Sequence, residues 1–132
     1  MLDRASTYIG AIVVVSALRS ARAASVAYPL SIQVCVYGVL ETLLVPRMHF
    51  SARAGSVVGH LMLPLVCFAH GPPRLELQHV LGGSALLACV LAAYTALDYW
   101  PYVVSPTHSV VLMLGVTAAL VPFATLRPLG DA

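Results

Sequence analysis

Lysine is absent from this sequence, and five carboxylates with seven arginines make only 9% of its 132 residues charged. The arginines are scattered at positions 4, 19, 22, 47, 53, 74 and 127, so there is no basic patch to hold nucleic acid. Cysteine is scarce as well. Cys35, Cys67 and Cys89 lie far apart, each within an apolar run, which suggests neither a disulfide framework nor a zinc-ligand pair. No P-loop, nucleophile elbow, zinc-protease helix or iron–sulfur cysteine pattern is present. Internal repeats, low-complexity tracts and polar stretches long enough for a soluble domain are also missing. What fills the chain is hydrocarbon: 60% of residues are hydrophobic and the mean hydropathy is +0.91, far above an ordinary soluble domain. The expected fold is an all-α integral membrane protein, a small helical bundle in contact with lipid.

A bilayer core of roughly 30 Å takes about 20 apolar residues of helix. Three segments are expected to span. The first runs from about Ser56 to Ala69, extended backward toward Ser51, and ends at "HGPPR". The second runs from about Leu77 to Leu97 and stops at Asp98, and the third from about His108 to Leu126. One or two further N-terminal hydrophobic helices are expected. Tyr28 to Val45 is apolar apart from Gln33, Glu41 and Thr42, with Pro29 suited to a first helical turn and Pro46 to a stop. The extreme N-terminus, with Arg4, Arg19 and Arg22 around an apolar run, reads either as a targeting region or as an extra membrane helix. This divides the chain into an N-terminal extension, residues 1–46, and a three-helix membrane domain, residues 47–132.

Ionisable groups inside hydrocarbon cost about 2.5–3.5 kcal/mol on insertion scales, so each one asks for a partner or a function. Glu41 lies near Arg47 and is expected to be arginine-paired or protonated at the interface, with a proton-path role as the alternative. His60 is expected to bond a backbone carbonyl, with a haem or quinone contact as the sharper alternative. His49, His70, His79 and His108 fall at span boundaries. "GGSA" at residues 82–85 reads as close helix packing. Tyr94, Tyr99, Trp100 and Tyr102 read as an interfacial aromatic belt. Asp98 is not explained by a belt. A carboxylate at a helix C-terminus is opposed by the helix dipole, yet beside Tyr99 it can orient the phenol or hold an arginine. A phenol at the membrane surface suits a hydrogen bond to a quinone carbonyl, whose oxygen gains charge on reduction and is then held more strongly.

Residues 49–126 resemble the small membrane-anchor subunit of succinate dehydrogenase, the small cytochrome b chain of mitochondrial complex II. The resemblance is carried by "HFSARAGSVVGHLMLP", with Ser51, Arg53, Ser56 and Pro64, then by "LDYWP", with Asp98 and Tyr99, and then by one last span. It implies partnership with a large membrane-anchor subunit, an iron–sulfur subunit and a flavoprotein subunit, in the mitochondrial inner membrane. It further implies Tyr99 as a hydrogen-bond donor to ubiquinone, with Asp98 as its supporting carboxylate. One departure concerns haem b. The family commonly has a haem-ligating histidine eleven residues before the aspartate, where this chain has Leu87. Cys89 is rotated by about 200° from that position, and His79 lies about 28 Å along the helix from Asp98. His60 and Cys89 remain as possible haem contacts, and haem is expected to be absent or differently ligated.

Three functions follow from these features. One is the anchor subunit of a succinate:ubiquinone oxidoreductase, not an enzyme alone. Another is a non-catalytic accessory subunit of a different respiratory or photosynthetic complex. The third is an independent carrier or channel lined by Glu41 and His60. Arg47 and Arg53 before the first expected span, against Arg74 after it, place the Tyr99 end on the matrix side.

Overall fold

The computed structural model describes residues 4–100 and 103–126, with side chains over 8–100 and 103–124. Tyr102 and the closing segment from Arg127 lie outside the described residues. Five helices follow one another: α1 (Arg4–Arg19), α2 (Ala21–Leu44), α3 (Phe50–Val66), α4 (Leu77–Ala96) and α5 (Pro106–Leu126). The fold is all-helical, as expected.

Length and composition make α2, α4 and α5 the helices able to cross a membrane. The set differs from the expected one at two places. α3, with 17 residues, reaches only about 25 Å at 1.5 Å per residue. Pro64 has no N–H to continue the ladder, and the chain beyond it unwinds through i→i+3 bonds from Cys67 to Pro64 (3.2 Å), Phe68 to Leu65 (3.0 Å) and Ala69 to Val66 (3.1 Å). α2, conversely, begins at Ala21 rather than near Tyr28. Ser20 is its N-cap, in extended backbone, with Oγ accepting from the Ala23 N–H at 3.1 Å, and the alanine-rich first turns are good helix formers. Pro29 therefore sits inside the helix, not at its first turn. Pro29 has no N–H to offer the Ser25 carbonyl one turn back, and just beyond it Ser31 Oγ donates to the Tyr28 carbonyl at 2.6 Å.

α2 is the hub. It touches every other helix, while α3 touches only α1 and α2, and α4 and α5 pair on the other side; among the described residues α3 shares no contact with α4 or α5. The expected boundary at residue 46 falls in the α2–α3 turn, and the helix before it is the one the others pack on. Most of the central stretch of α2 is buried, whereas α4 and α5 keep most of their residues on the outer surface. The interior contains Ser25, Ser31, Gln33, Thr42, His60 and Ser109, and the outside presents Leu61, Met62, Leu81, Leu86, Leu114 and Phe123. Polar groups inside and large apolar groups outside is the arrangement compatible with lipid as solvent.

At the middle of the hub, the Gln33 amide donates through Nε2 to Ser84 Oγ at 3.2 Å and Thr117 Oγ1 at 3.0 Å. The two hydroxyls meet at 2.6 Å, and the Thr117 hydroxyl donates to the Met113 carbonyl at 2.8 Å. This joint ties α2, α4 and α5 together. Gly83 assists by letting α4 approach the Leu30 backbone, where a Cβ would stand 3.4 Å from the Leu30 nitrogen. Gln33 is 1% exposed and its Oε1 has no hydrogen-bond partner. Bonds of this kind contribute about 0.6–1.7 kcal/mol each in a membrane, and an unpaired buried acceptor costs about 1–3 kcal/mol. Gln33→Leu is therefore expected to stay within about 1 kcal/mol of the wild type, whereas Gln33→Ala leaves a cavity and loses about 2 kcal/mol or more. Thermal unfolding in bicelles measures both; a large loss in the leucine variant would show the joint to be worth more than its orphaned oxygen costs.

The helices form two ends. One collects the C-termini of α2 and α4 and the N-termini of α3 and α5. At the other, His70 Nε2 lies 3.1 Å from the Leu18 carbonyl and the Arg74 N–H reaches Ser25 Oγ at 3.0 Å. Arg19, Arg22 and Arg74 thus gather opposite Arg47 and Arg53. The expected matrix orientation counted only the arginines around α3, and with α1 and α2 included the arginine count no longer selects the Tyr99 end.

Candidate functional site

α4 ends in a left-handed turn. The Asp98 N–H donates to the Thr95 carbonyl at 3.1 Å and the Tyr99 N–H to the Tyr94 carbonyl at 2.9 Å, the paired bonds of a Schellman cap, with Asp98 at φ +53°. That conformation suits glycine first, and asparagine or aspartate among the rest. The backbone thus supplies a reason for aspartate at position 98 that the dipole argument did not contain. Its carboxylate is exposed, and among the described residues no hydrogen bond joins it to the Tyr99 hydroxyl or to an arginine.

The turn carries Tyr99 outward, 51% exposed, with its hydroxyl meeting no hydrogen-bond partner among the described residues. The Tyr94 ring lies between its neighbours, 5.6 Å from the Tyr99 ring and 6.1 Å from that of Trp100 in edge-on contact. Trp100 packs partly on a buried cluster of Tyr37, Leu87, Leu91 and Met113, and its Nε1–H donates to the Val104 carbonyl at 2.5 Å. Ser105 then starts α5 with Pro106 in the first helical position; Ser105 Oγ accepts from the His108 N–H at 3.3 Å and meets His108 Nδ1 at 2.6 Å.

Glu41 reaches this segment from α2. Its carboxylate accepts from two successive backbone N–H groups, Val103 and Val104, the latter at 2.9 Å. The expected pairing with Arg47 is not made: Arg47 is exposed in a left-handed turn at φ +59° and, among the described residues, forms no ion pair with Glu41. Arg53 is bonded elsewhere, Nη1 donating to the Leu43 carbonyl and Nη2 to that of Val45, each at 2.9 Å, covering the negative end of α2. Two acceptors in one carboxylate and two parallel N–H donors make the match, and sequence spacing gives no hint of a partner sixty residues away.

His60 is on the far side of α2. Its Nδ1 faces the Ser56 carbonyl at 2.8 Å, so that nitrogen carries the proton. The ring lies on Gly38, where a Cβ would be 1.8 Å from Cδ2 and 2.1 Å from Nε2. Thr42 Oγ1 completes the seam, donating to the Gly38 carbonyl at 2.7 Å beside Ser56 Oγ, also at 2.7 Å. Cys89 is exposed on α4, a helix that α3 does not touch. Haem therefore does not fit the residues offered for it. One nitrogen of His60 is bonded and the other is pressed against a helix backbone, Cys89 belongs to a different surface, and Leu87, at the position the resemblance would assign to a ligand, is a buried hydrocarbon side chain. Among the described residues no cluster of three metal-ligating side chains occurs.

Set against known protein families, curated proteins and solved structures, the chain matches none.

Proposed function

We propose that this chain is a membrane-anchor subunit of a succinate:ubiquinone oxidoreductase of the mitochondrial inner membrane, holding the flavoprotein and iron–sulfur subunits beside a large anchor chain. The observation that carries the reading is Tyr99: a half-exposed phenol with no hydrogen-bond partner among the described residues, at the boundary end of an apolar helix, in the order Ser51, Arg53, Pro64, Asp98, Tyr99 that the small anchor subunit shares. In this role the phenol donates to a quinone carbonyl while the isoprenoid tail stays in lipid, and Tyr94 and Trp100 form the wall behind it. Two electrons from the iron–sulfur partner and two protons convert quinone to quinol. The growing charge on the carbonyl oxygen strengthens the phenol's bond as reduction proceeds. No step passes through haem.

A second reading, a non-catalytic accessory subunit of another membrane complex, draws on a specific observation. Asp98 closes a helix through its backbone and Arg53 covers the end of α2, so two residues of the shared pattern already have roles inside the chain. Mass spectrometry of what co-purifies in mild detergent separates the readings. A flavoprotein and an iron–sulfur subunit in equal amounts are expected; subunits of a different complex would replace the first reading by the second.

A further inference from the structure

Glu41 and the aromatic cluster are joined by an unbroken series of contacts. The carboxylate on α2 holds the Val103 and Val104 N–H groups. The Val104 carbonyl receives the indole N–H of Trp100. The indole meets Tyr94 edge-on, and Tyr94 meets Tyr99. Val104 is itself 7% exposed, so the peptide units on either side of it are the link between a helix at the centre of the bundle and rings at its rim. We infer that Glu41 is the positioning residue of the Tyr94–Tyr99–Trp100 cluster, acting through the Val104 backbone.

The chemistry favours a carboxylate here. A charged acceptor binds N–H donors more strongly than a neutral one, and two oxygens can serve two adjacent donors at once. A glutamine offers one oxygen and would turn an NH₂ toward the second N–H, so it loses one bond and adds a donor–donor conflict. Alanine loses both. Among the described residues no arginine forms an ion pair with Glu41: Arg47 is exposed, and Arg53 is bonded to the end of α2. The inference concerns how the rings are held and stands whatever Tyr99 touches.

Trp100 is the single tryptophan of the chain, so its fluorescence reports this cluster alone. With the full chain in phospholipid nanodiscs, Glu41→Ala is expected to move the emission to longer wavelength and raise quenching by acrylamide. Glu41→Gln is expected to fall between alanine and the wild type, and Glu76→Gln, at the other end of α4, to match the wild type. Site-resolved maleimide labelling gives the second reading. Cys67, fully buried at the opposite end, is expected to keep its wild-type protection in the Glu41 variants, because the effect is local. Wild-type emission and quenching in both Glu41 variants would overturn the inference, as would exposure of Cys67 in step with Trp100, which would mean general loosening. Should Glu41→Ala fail to fold, Glu41→Gln decides by the same two measurements.

Discussion

Gly38→Ala is expected to destabilise the bundle by about 3 kcal/mol, from overpacking plus the loss of one hydrogen bond. An added Cβ would stand 1.8 Å from His60 Cδ2 and 2.3 Å from Cγ, and Cγ is the root of the ring, so a small swing of its tip cannot clear the clash. The ring must leave, and with it the bond from Nδ1 to the Ser56 carbonyl. Separation of α2 from α3 would be the other way out, at the expense of the Thr42–Ser56 contact and of Arg53 over the end of α2. Denaturation in bicelles measures the loss. Gly82→Ala is the comparison, because a Cβ there meets nothing within 4 Å. Removing the ring should restore tolerance: Gly38→Ala in a His60→Ala background is expected to cost less than about 1 kcal/mol beyond His60→Ala alone, the non-additivity of residues in contact. Equal effects of Gly38→Ala with and without the imidazole would show that the ring is not what the glycine makes room for.

That pair also shows where sequence reasoning reached and where it stopped. His60 bonded to a backbone carbonyl was legible, since a histidine among apolar residues at mid-helix needs a local acceptor and the carbonyl four residues earlier is always near. Gly38 against it was not, because the contact depends on how α2 rotates about its axis. The same division runs through the fold. Apolar runs and their prolines announced the helices, but α2 was expected to start near Pro29, and the side chain that starts it, Ser20, lies eight residues before Tyr28 among residues that also suited a targeting region. The segment of α2 falls in the expected N-terminal extension because it lies outside the resemblance, and it contains Gln33, Glu41 and Thr42. In a bilayer that content argues the other way. A helix with more polar groups is the one the others surround, and the more apolar helices, α4 and α5, neither of which contains an Arg, Asp or Glu, are the ones lipid can touch.

At the site, the aromatic residues and their closeness along the chain were visible as "YTALDYW". Left-handed Asp98 had a weaker signal: an aspartate just past the last apolar residue of a helix is one of the few side chains that fit the C′ position. Glu41 had none. Its donors are peptide N–H groups, which every residue but proline carries, so nothing in residue types could single out Val103 and Val104.

Under the anchor-subunit proposal, Tyr99→Phe is expected to lower quinone reduction by about 10- to 100-fold, since a hydrogen bond to a group acquiring charge contributes about 1.5–3 kcal/mol and each 1.36 kcal/mol is a factor of ten. The change removes one oxygen from a half-exposed ring that has no hydrogen-bond partner among the described residues, so nothing inside the bundle is left unpaired and assembly with the other subunits should be unaffected. Reduction of a water-soluble phenazine dye, which takes electrons upstream of the quinone, should continue at the wild-type rate. The decrease belongs in kcat as well as kcat/KM, because the bond strengthens as charge builds on the carbonyl and is therefore worth more in the transition state than in the bound quinone. Asp98→Asn separates the two roles weighed for its neighbour. Asparagine keeps the left-handed turn and removes the charge, so if the backbone is what position 98 supplies, quinone turnover stays near wild type. A fall comparable to that of Tyr99→Phe would instead mean that the carboxylate acts on the phenol or on the quinone itself once the partners are in place. If Tyr99→Phe turns over quinone unchanged while the complex assembles, Tyr99 is not the donor, and the exposed phenol returns to the ordinary duty of an interfacial aromatic residue.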